Sequence, residues 1–351
     1  CHWKTMADAL PSAAPERSAG LLRLLAVALV VVRTEQAPGD WPRVGPEALE
    51  EGGRWAAPCS HQYAHDDRIL PGCTPEVGGD CGRVLEDGFL APQEVATLKS
   101  MAERGMGRGA PGQVPGPTIM DVNSGWVLVS GAFQPTSIYQ AGPLYSEAEY
   151  ALYREVVGRL KARVEEAFAL ETLYFTAPTF ITREVGSDDW DAGTMHDEYW
   201  HPHVDKNNTA HYDYSALVYL SSQDTDFEGG ALHFFPQTSL DCAPFVDTVN
   251  PGPCLITGDP ELEVAPRAGR VIIFGSGLEN PHRVTKVTSG VRYVLSLWFT
   301  CDRRREMHNF LDGKQHVHFT GDQGQRQHGG NDERSGARKR AERKKRKEGE
   351  L

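Results

Sequence analysis

Two histidines and one aspartate stand at a spacing that suits a metal ion. His203-Val204-Asp205 is a His-x-Asp pair, and His282 follows Asp205 by 77 residues. Two imidazoles and one carboxylate occupy one face of a non-haem iron(II) ion and leave the other positions open for cosubstrate and oxygen. Arg292 lies ten residues beyond His282. Its fork-shaped guanidinium matches a carboxylate bidentately, which suits the far end of 2-oxoglutarate. A His-x-Asp triplet alone carries little weight, because most are solvated surface residues. A strand arginine more often faces solvent beside an acidic neighbour. At Arg292 the flanks Val291, Val294, Leu295 and Leu297 argue for an inward side chain.

The elements around these residues read as short strands. Tyr214 to Leu220 is an apolar run expected to form a buried strand. Phe227-Glu228-Gly229-Gly230 reads as a turn, followed by a strand through Leu232 to Phe235. Pro266 to Arg270 turns into Val271–Phe274, and Gly290 to Phe299 closes the set. Each candidate ligand is therefore expected at the end of a β segment. Two helices precede these strands, one from about Pro92 to Arg104. The other is announced by Ser146 and Glu149, a capping-box pair, and by Leu152, Val156, Leu160, Val164 and Phe168 at helical spacing. That stripe is core. Residues 105–119 read as Gly/Pro-rich loop, and Leu173 to Glu184 alternates as a strand. The pocket rim is expected from residues 107–120, 186–200 and 236–258.

These motifs resemble the prolyl 4-hydroxylase-type domain of the iron(II)- and 2-oxoglutarate-dependent dioxygenases. "DYSALVYL", "FEGG", "PRAGRVIIF", "GLENPHRVTKVTSGVRY" and "LWFTCD" are similar to prolyl 3-hydroxylase catalytic domains, in the branch with Arg rather than Lys at the cosubstrate anchor. The resemblance covers roughly residues 83–303. It implies an α+β fold, a double-stranded β-helix (jelly-roll) core with supporting helices. It assigns His203, Asp205 and His282 to Fe(2+), and Arg292 and Tyr219 to 2-oxoglutarate, with no catalytic residue beyond the metal ligands. L-ascorbate is implied as a further requirement. The ordinary alternative for Tyr219 is a core tyrosine with a satisfied hydroxyl. His201 fits no ligand position. His211, His233, His308, His316 and His318 carry the ordinary surface or core reading, and Trp298 is expected in the core.

Charge is uneven. Thirty-six basic and 48 acidic residues give −12. From Arg334 to Leu351 nine basic and three acidic side chains give +6, which leaves −18 for the remainder. An acidic body speaks against nucleic-acid binding and favours a cationic partner. The basic tail is poor in apolar residues and is expected to be disordered. Leu21 to Val32 is apolar except for Arg23, too short to span a bilayer unaided and similar to a signal-peptide core. Apart from Cys1, six cysteines remain: Cys59, Cys73, Cys81, Cys242, Cys254 and Cys301. An even number fits disulfides without fixing their connectivity. Cys242 and Cys254 flank a loop they could staple. A zinc site from Cys59, Cys73 and Cys81 with His61 and His65 lacks a C-x-x-C pair. Asn207-Asn208-Thr209 is a glycosylation sequon, expected to stay unoccupied because it lies so close to Asp205.

The expected organisation is a signal peptide or short membrane anchor at 1–35 and a Pro/Gly-rich linker or stalk with cysteines at 36–82. The dioxygenase domain spans 83–303, with its metal-binding core at about 195–303, and a disordered basic tail fills 304–351. The expected function is hydroxylation of a protein or peptide side chain, prolyl or lysyl, with release of succinate and CO2. The expected location is the secretory pathway, in the endoplasmic reticulum lumen or membrane, with anchoring through residues 21–32 open; a nuclear location is the alternative. The competing class is an inactive binding module that kept the fold. A hydrolytic zinc enzyme would lack a general base and leave Arg292 unexplained.

Overall fold

The computed structural model describes residues 41–307, except 61–72, 74, 76–78, 110–111, 131–135, 140–141, 143, 178, 193–199, 242–254 and 257. Two sheets face each other. The larger runs, edge to edge, through the strands Gly53–Trp55, Arg83–Glu86, Val271–Gly275, Tyr214–Tyr219, Val287–Thr300, Phe180–Val185, Gly116–Asp121, Trp126–Val129 and Thr136–Ser137. The smaller contains Arg43–Val44, Leu262–Val264, Leu232–Phe234 and His282–Val284, and an isolated bridge from His203 to His282 extends it. From Phe180 onward the chain crosses repeatedly between the sheets, placing 203, 232–234, 262–264 and 282–284 in one layer and 180–185, 214–219, 271–275 and 287–300 in the other. That winding is the expected jelly roll.

Period-two alternation decides which side chain faces where. Along Tyr214–Tyr219, Tyr214, Ala216 and Val218 pack toward the helices. Leu217 and Tyr219 pack between the sheets with Leu232, Phe234, Leu262, Val264, Ile272, Phe274 and Val294. On the other face of the large sheet lie Leu295, Leu297 and Phe299 with Val156, Leu160 and Val164. Each such side chain contributes about 1.5–3 kcal/mol by leaving water.

The helix Glu147–Ala167 begins at the expected capping box, with Ser146 and Glu149 bonding reciprocally. The other helix, Pro92–Gly109, runs beyond Arg104. Residues 105–109 thus continue it, and Gly116–Asp121 is a strand rather than loop. Gly105 allows this, since a Cβ there would stand 2.2 Å from Met120 Sδ and 2.3 Å from the Tyr145 hydroxyl.

The described part of 36–82 is not a loose stalk. Arg43–Val44 pairs with Leu262–Val264, and Gly53–Trp55 pairs with Arg83–Glu86. Val44, Leu49 and Trp55 pack against the inter-sheet core. Buried Arg270 donates to the carbonyls of Gly45 and Glu47 at 2.8 and 2.9 Å. Apolar side chains among the prolines and glycines supply what a stalk would lack. Cys59 bridges to Cys81 and Cys73 to Cys301, with Cα–Cα distances of 4.8 and 5.4 Å. Those thiols are therefore not available to zinc. Cys242, Cys254, His61 and His65 lie outside the described residues, as do residues 1–40 and the tail from 308. Among the described residues no helix is long and apolar enough to cross a membrane.

Candidate active site

His203 and His282 face each other across an antiparallel bridge, each N–H donating to the other's carbonyl at 2.9 Å. A pair that exchanges both bonds sets its side chains on one face, and the two ring centroids are 4.4 Å apart. Asp205 opens the one-turn helix Asp205–Asn208 rather than ending a strand, and turns its carboxylate back toward both rings. Its Oδ1 lies 3.6 Å from His203 Nε2 and 3.8 Å from His282 Nε2. One ligand atom from each of the three falls within 4.8 Å of the others.

The surroundings fix which atoms face inward. His203 Nδ1 is 3.1 Å from the His201 carbonyl, and His282 Nδ1 is 2.9 Å from the Asn280 carbonyl. A carbonyl only accepts, so each Nδ1 carries the proton and each Nε2 lone pair is directed at the common point. Ser215 Oγ donates to Asp205 Oδ2 at 2.6 Å and lies 2.6 Å from Ser276 Oγ. The next residue, Lys206, is buried and donates to Asp213 Oδ1 at 2.7 Å. Asp213 Oδ2 in turn accepts the Cys301 amide at 2.7 Å, which ties the ligand turn to the closing strand.

Burial by itself would raise the Asp205 carboxyl, yet the His282 charge and the His203 hydrogen bond and charge, with Ser215, hold it well below the usual carboxylate range. Burial pulls His203 down, but the adjacent Asp205 outweighs this and raises it above an ordinary histidine. At His282, burial and the neighbouring His203 push the ring down to about 4.

Arg292 is buried on Val287–Thr300, as its apolar flanks imply. Its Nη1 donates to Glu184 Oε2 at 2.8 Å, and its guanidinium carbon is 5.5 Å from the centre of the Tyr219 ring. Arg292 Nε and the Tyr219 hydroxyl are both buried, and neither donates to an acceptor among the described residues. Burial raises the Tyr219 hydroxyl, with Arg292 opposing, so it remains a donor. Two buried donors without acceptors fit a bound carboxylate, since such groups are ordinarily satisfied. The donor sets thus suit a metal at one end and an anion at the other.

The remaining histidines have other partners. His201 lies tilted against His203, with centroids 5.4 Å apart. His211 lies against Tyr212, and His233 bonds Glu263 at 3.0 Å. His308, His316 and His318 lie outside the described residues. Trp298 is half-buried rather than core, stacked on Tyr212 with its edge-on neighbour Phe180. Of the expected rim, residues 193–199 and 242–254 lie outside the described residues. Glu184, Ser215 and Gly230 touch the site residues without having been singled out. Gly230 is signalled by its glycine pair, whereas Ser215 and Glu184 gain their roles from pairing between distant segments.

A jelly roll that brings two imidazoles and one carboxylate together beside a buried arginine has the make-up of a metal-dependent, cosubstrate-using oxygenase. Residues 192–300 match the profile of the 2OG-Fe(II) oxygenase superfamily. The chain is 35% identical over 257 residues to the rat 2-oxoglutarate and iron-dependent oxygenase domain-containing protein 3, covering 72% of each. It is 31% identical over 240 residues to human prolyl 3-hydroxylase 1, covering 63% of this chain and 29% of that protein. A 2OG-Fe(II) oxygenase-family oxidoreductase from Burkholderia pseudomallei superposes with a TM-score of 0.42 at 16% identity, covering 74% of this chain and 95% of that one. The chain belongs to the 2-oxoglutarate- and iron(II)-dependent oxygenases, dioxygenases that use Fe(2+) and 2-oxoglutarate.

Proposed function

We propose that His203, Asp205 and His282 hold the iron, that Arg292 and Tyr219 hold the distal carboxylate of 2-oxoglutarate, and that the enzyme hydroxylates a prolyl or lysyl side chain of a protein or peptide. The observation that carries this is the convergence of the three ligand atoms within 4.8 Å on a scaffold that aims each Nε2 inward. Bound iron with 2-oxoglutarate would supply the chemistry, using O2 as oxidant: one oxygen atom goes to succinate as CO2 leaves, the other to the substrate C–H as hydroxyl. The protein's own part is orientation. The two backbone carbonyls set the imidazole tautomers, Ser215 sets the carboxylate, and Arg292 with Tyr219 sets the cosubstrate's far end. Phe234 and Phe274 flank His282, at 5.8 and 5.1 Å between ring centroids, and keep water from it.

A peptide substrate is supported by the similarity to prolyl 3-hydroxylase 1. A secretory-pathway location is supported by the disulfides Cys59–Cys81 and Cys73–Cys301, which persist in oxidising compartments; L-ascorbate as reductant is part of the same proposal. The division at 1–35, 36–82, 83–303 and 304–351 stays part of this reading, with 41–60 folded onto the domain. The test is succinate release by the full chain with Fe(II), 2-oxoglutarate and ascorbate, with and without peptides bearing proline or lysine. Peptide-stimulated release with a mass gain of one oxygen on the peptide is expected. Succinate release that no protein or peptide stimulates would overturn the substrate class.

A further inference from the structure

Glu184 stands directly opposite Arg292 in the register of two neighbouring antiparallel strands, Phe180–Val185 and Val287–Thr300. It is 4% exposed, and its Oε2 takes the Arg292 Nη1 hydrogen at 2.8 Å. Nothing in the chemistry of a cosubstrate anchor requires a carboxylate here. A second anion beside the guanidinium competes for the positive charge that 2-oxoglutarate needs. Burial raises its carboxyl, with Arg292 opposing, so its charged form depends on this arginine.

The geometry gives it a different use. An arginine side chain has about 2 kcal/mol of rotamer entropy to lose. Here three contacts remove that freedom before any ligand arrives. Glu184 takes Nη1, and the Tyr219 ring lies 5.5 Å from the guanidinium carbon. Gly230 leaves room for the stem, since a Cβ there would stand 2.9 Å from Arg292 Cδ. With Nη1 committed and the stem confined, one end of the guanidinium is held. Among the described residues, Nε and the Tyr219 hydroxyl are then the buried donors at this site still lacking an acceptor.

We infer that Glu184 is a positioning residue for the cosubstrate: its carboxylate fixes Arg292 by one edge so that Nε and the Tyr219 hydroxyl meet the distal carboxylate of 2-oxoglutarate. This rests on the reading of Arg292 as the anchor. Charge and geometry predict opposite signs. If Glu184 acted only as a competing anion, removing it would tighten 2-oxoglutarate binding. As a positioning group, its removal loosens binding, and Glu184→Gln restores it, because an amide oxygen still accepts from Nη1.

The experiment is anaerobic calorimetric titration of 2-oxoglutarate into the full chain loaded with Mn(II), for the wild type, Glu184→Gln, Glu184→Leu and Arg292→Ala. Glu184→Leu is expected to raise the Kd about tenfold, the size of one charge-assisted hydrogen bond. Glu184→Gln should stay within about threefold of wild type, and Mn(II) affinity should be unchanged in both. If Glu184→Leu does not fold, Glu184→Ser, too short to reach Nη1, is read in its place. Binding as tight as wild type, or tighter, without the acceptor overturns the inference. Failure of Glu184→Gln to restore binding overturns it too. The Arg292→Ala arm separates the two readings. If it weakens binding while Glu184→Leu does not, only the role of Glu184 falls. If it leaves binding intact, the anchor itself falls.

Discussion

The two ends of the site are finished to different degrees. At the ligand end every protein-facing atom has its partner: both Nδ1 atoms meet carbonyls, Asp205 Oδ2 meets Ser215, and Lys206 meets Asp213. At the Arg292 end two buried donors, Arg292 Nε and the Tyr219 hydroxyl, have no acceptor among the described residues. An unpartnered buried polar group costs about 1–3 kcal/mol. The fold thus carries a penalty at one end that a carboxylate removes, while the other end is preorganised by hydrogen bonds the fold already makes. The metal end is built to be correct in advance. The cosubstrate end is built to be incomplete.

The largest break in this comparison is Asp205→Ala. It removes the carboxylate on which both Nε2 atoms converge, so Mn(II) affinity should fall by more than the roughly 100-fold that loss of an outer-shell partner costs. Succinate release should vanish. Retention of stoichiometric iron by the variant, measured by metal analysis, would contradict the assigned ligand set.

Acid tests the same end without mutation. His282 is held down to about 4, so the unfolded chain binds its proton first. The metal-free protein should then lose stability as pH falls from about 6.5 toward 4, by on the order of 3 kcal/mol. His203 is raised, so its contribution is already complete below the unfolded value and is lost only as pH rises through its folded pKa. It does not mask the acid effect. Tm of the metal-free protein across this range is the measurement, and bound Mn(II) should resist the fall until protons displace it. A flat Tm would contradict a neutral, buried His282.

Ser215→Ala is the next smaller perturbation. It leaves all three ligands but removes the 2.6 Å donor to Asp205 Oδ2. Loss of such an outer partner should lower metal affinity about 10–100-fold. The fold should also weaken by about 1–3 kcal/mol, because a buried charged oxygen loses its hydrogen bond. Metal titration and thermal melting of the metal-free variant test both.

How far each end could be read in the sequence follows the same division. The proposed ligands His203, Asp205 and His282, and the proposed anchor Arg292, are readable because motif, offset and apolar flanks coincide. The helix Glu147–Ala167 was readable from a local cap. What escaped depends on pairing between distant segments. Glu184 matters only because register sets it against Arg292, and Ser215 only because the ligand turn folds back onto its strand. The segment around 43–55 looked like linker because its strands are two and three residues long and gain their partners from residues 262–264 and 83–86. The Cys73–Cys301 bridge spans 228 residues, and spacing carries no trace of it.

The finest test of the comparison is Tyr219→Phe, because it touches one oxygen at the incomplete end. In most cores, deleting a buried hydroxyl orphans its partner and destabilises the fold. Here the hydroxyl proton has no acceptor among the described residues to orphan. Its removal should leave the metal-free protein as stable as wild type or raise its stability by up to about 1 kcal/mol. The price is paid on binding: the distal carboxylate loses a donor, and the Kd for 2-oxoglutarate should rise about tenfold. Mn(II) affinity should not move, because Tyr219 touches none of the three ligands. The signs are therefore opposite to those of Ser215→Ala, which weakens the fold and the metal together. Paired melting curves and 2-oxoglutarate titrations decide it. A Tyr219→Phe protein that melts well below wild type would mean that the hydroxyl is already satisfied, and the two ends of the site would no longer differ in kind.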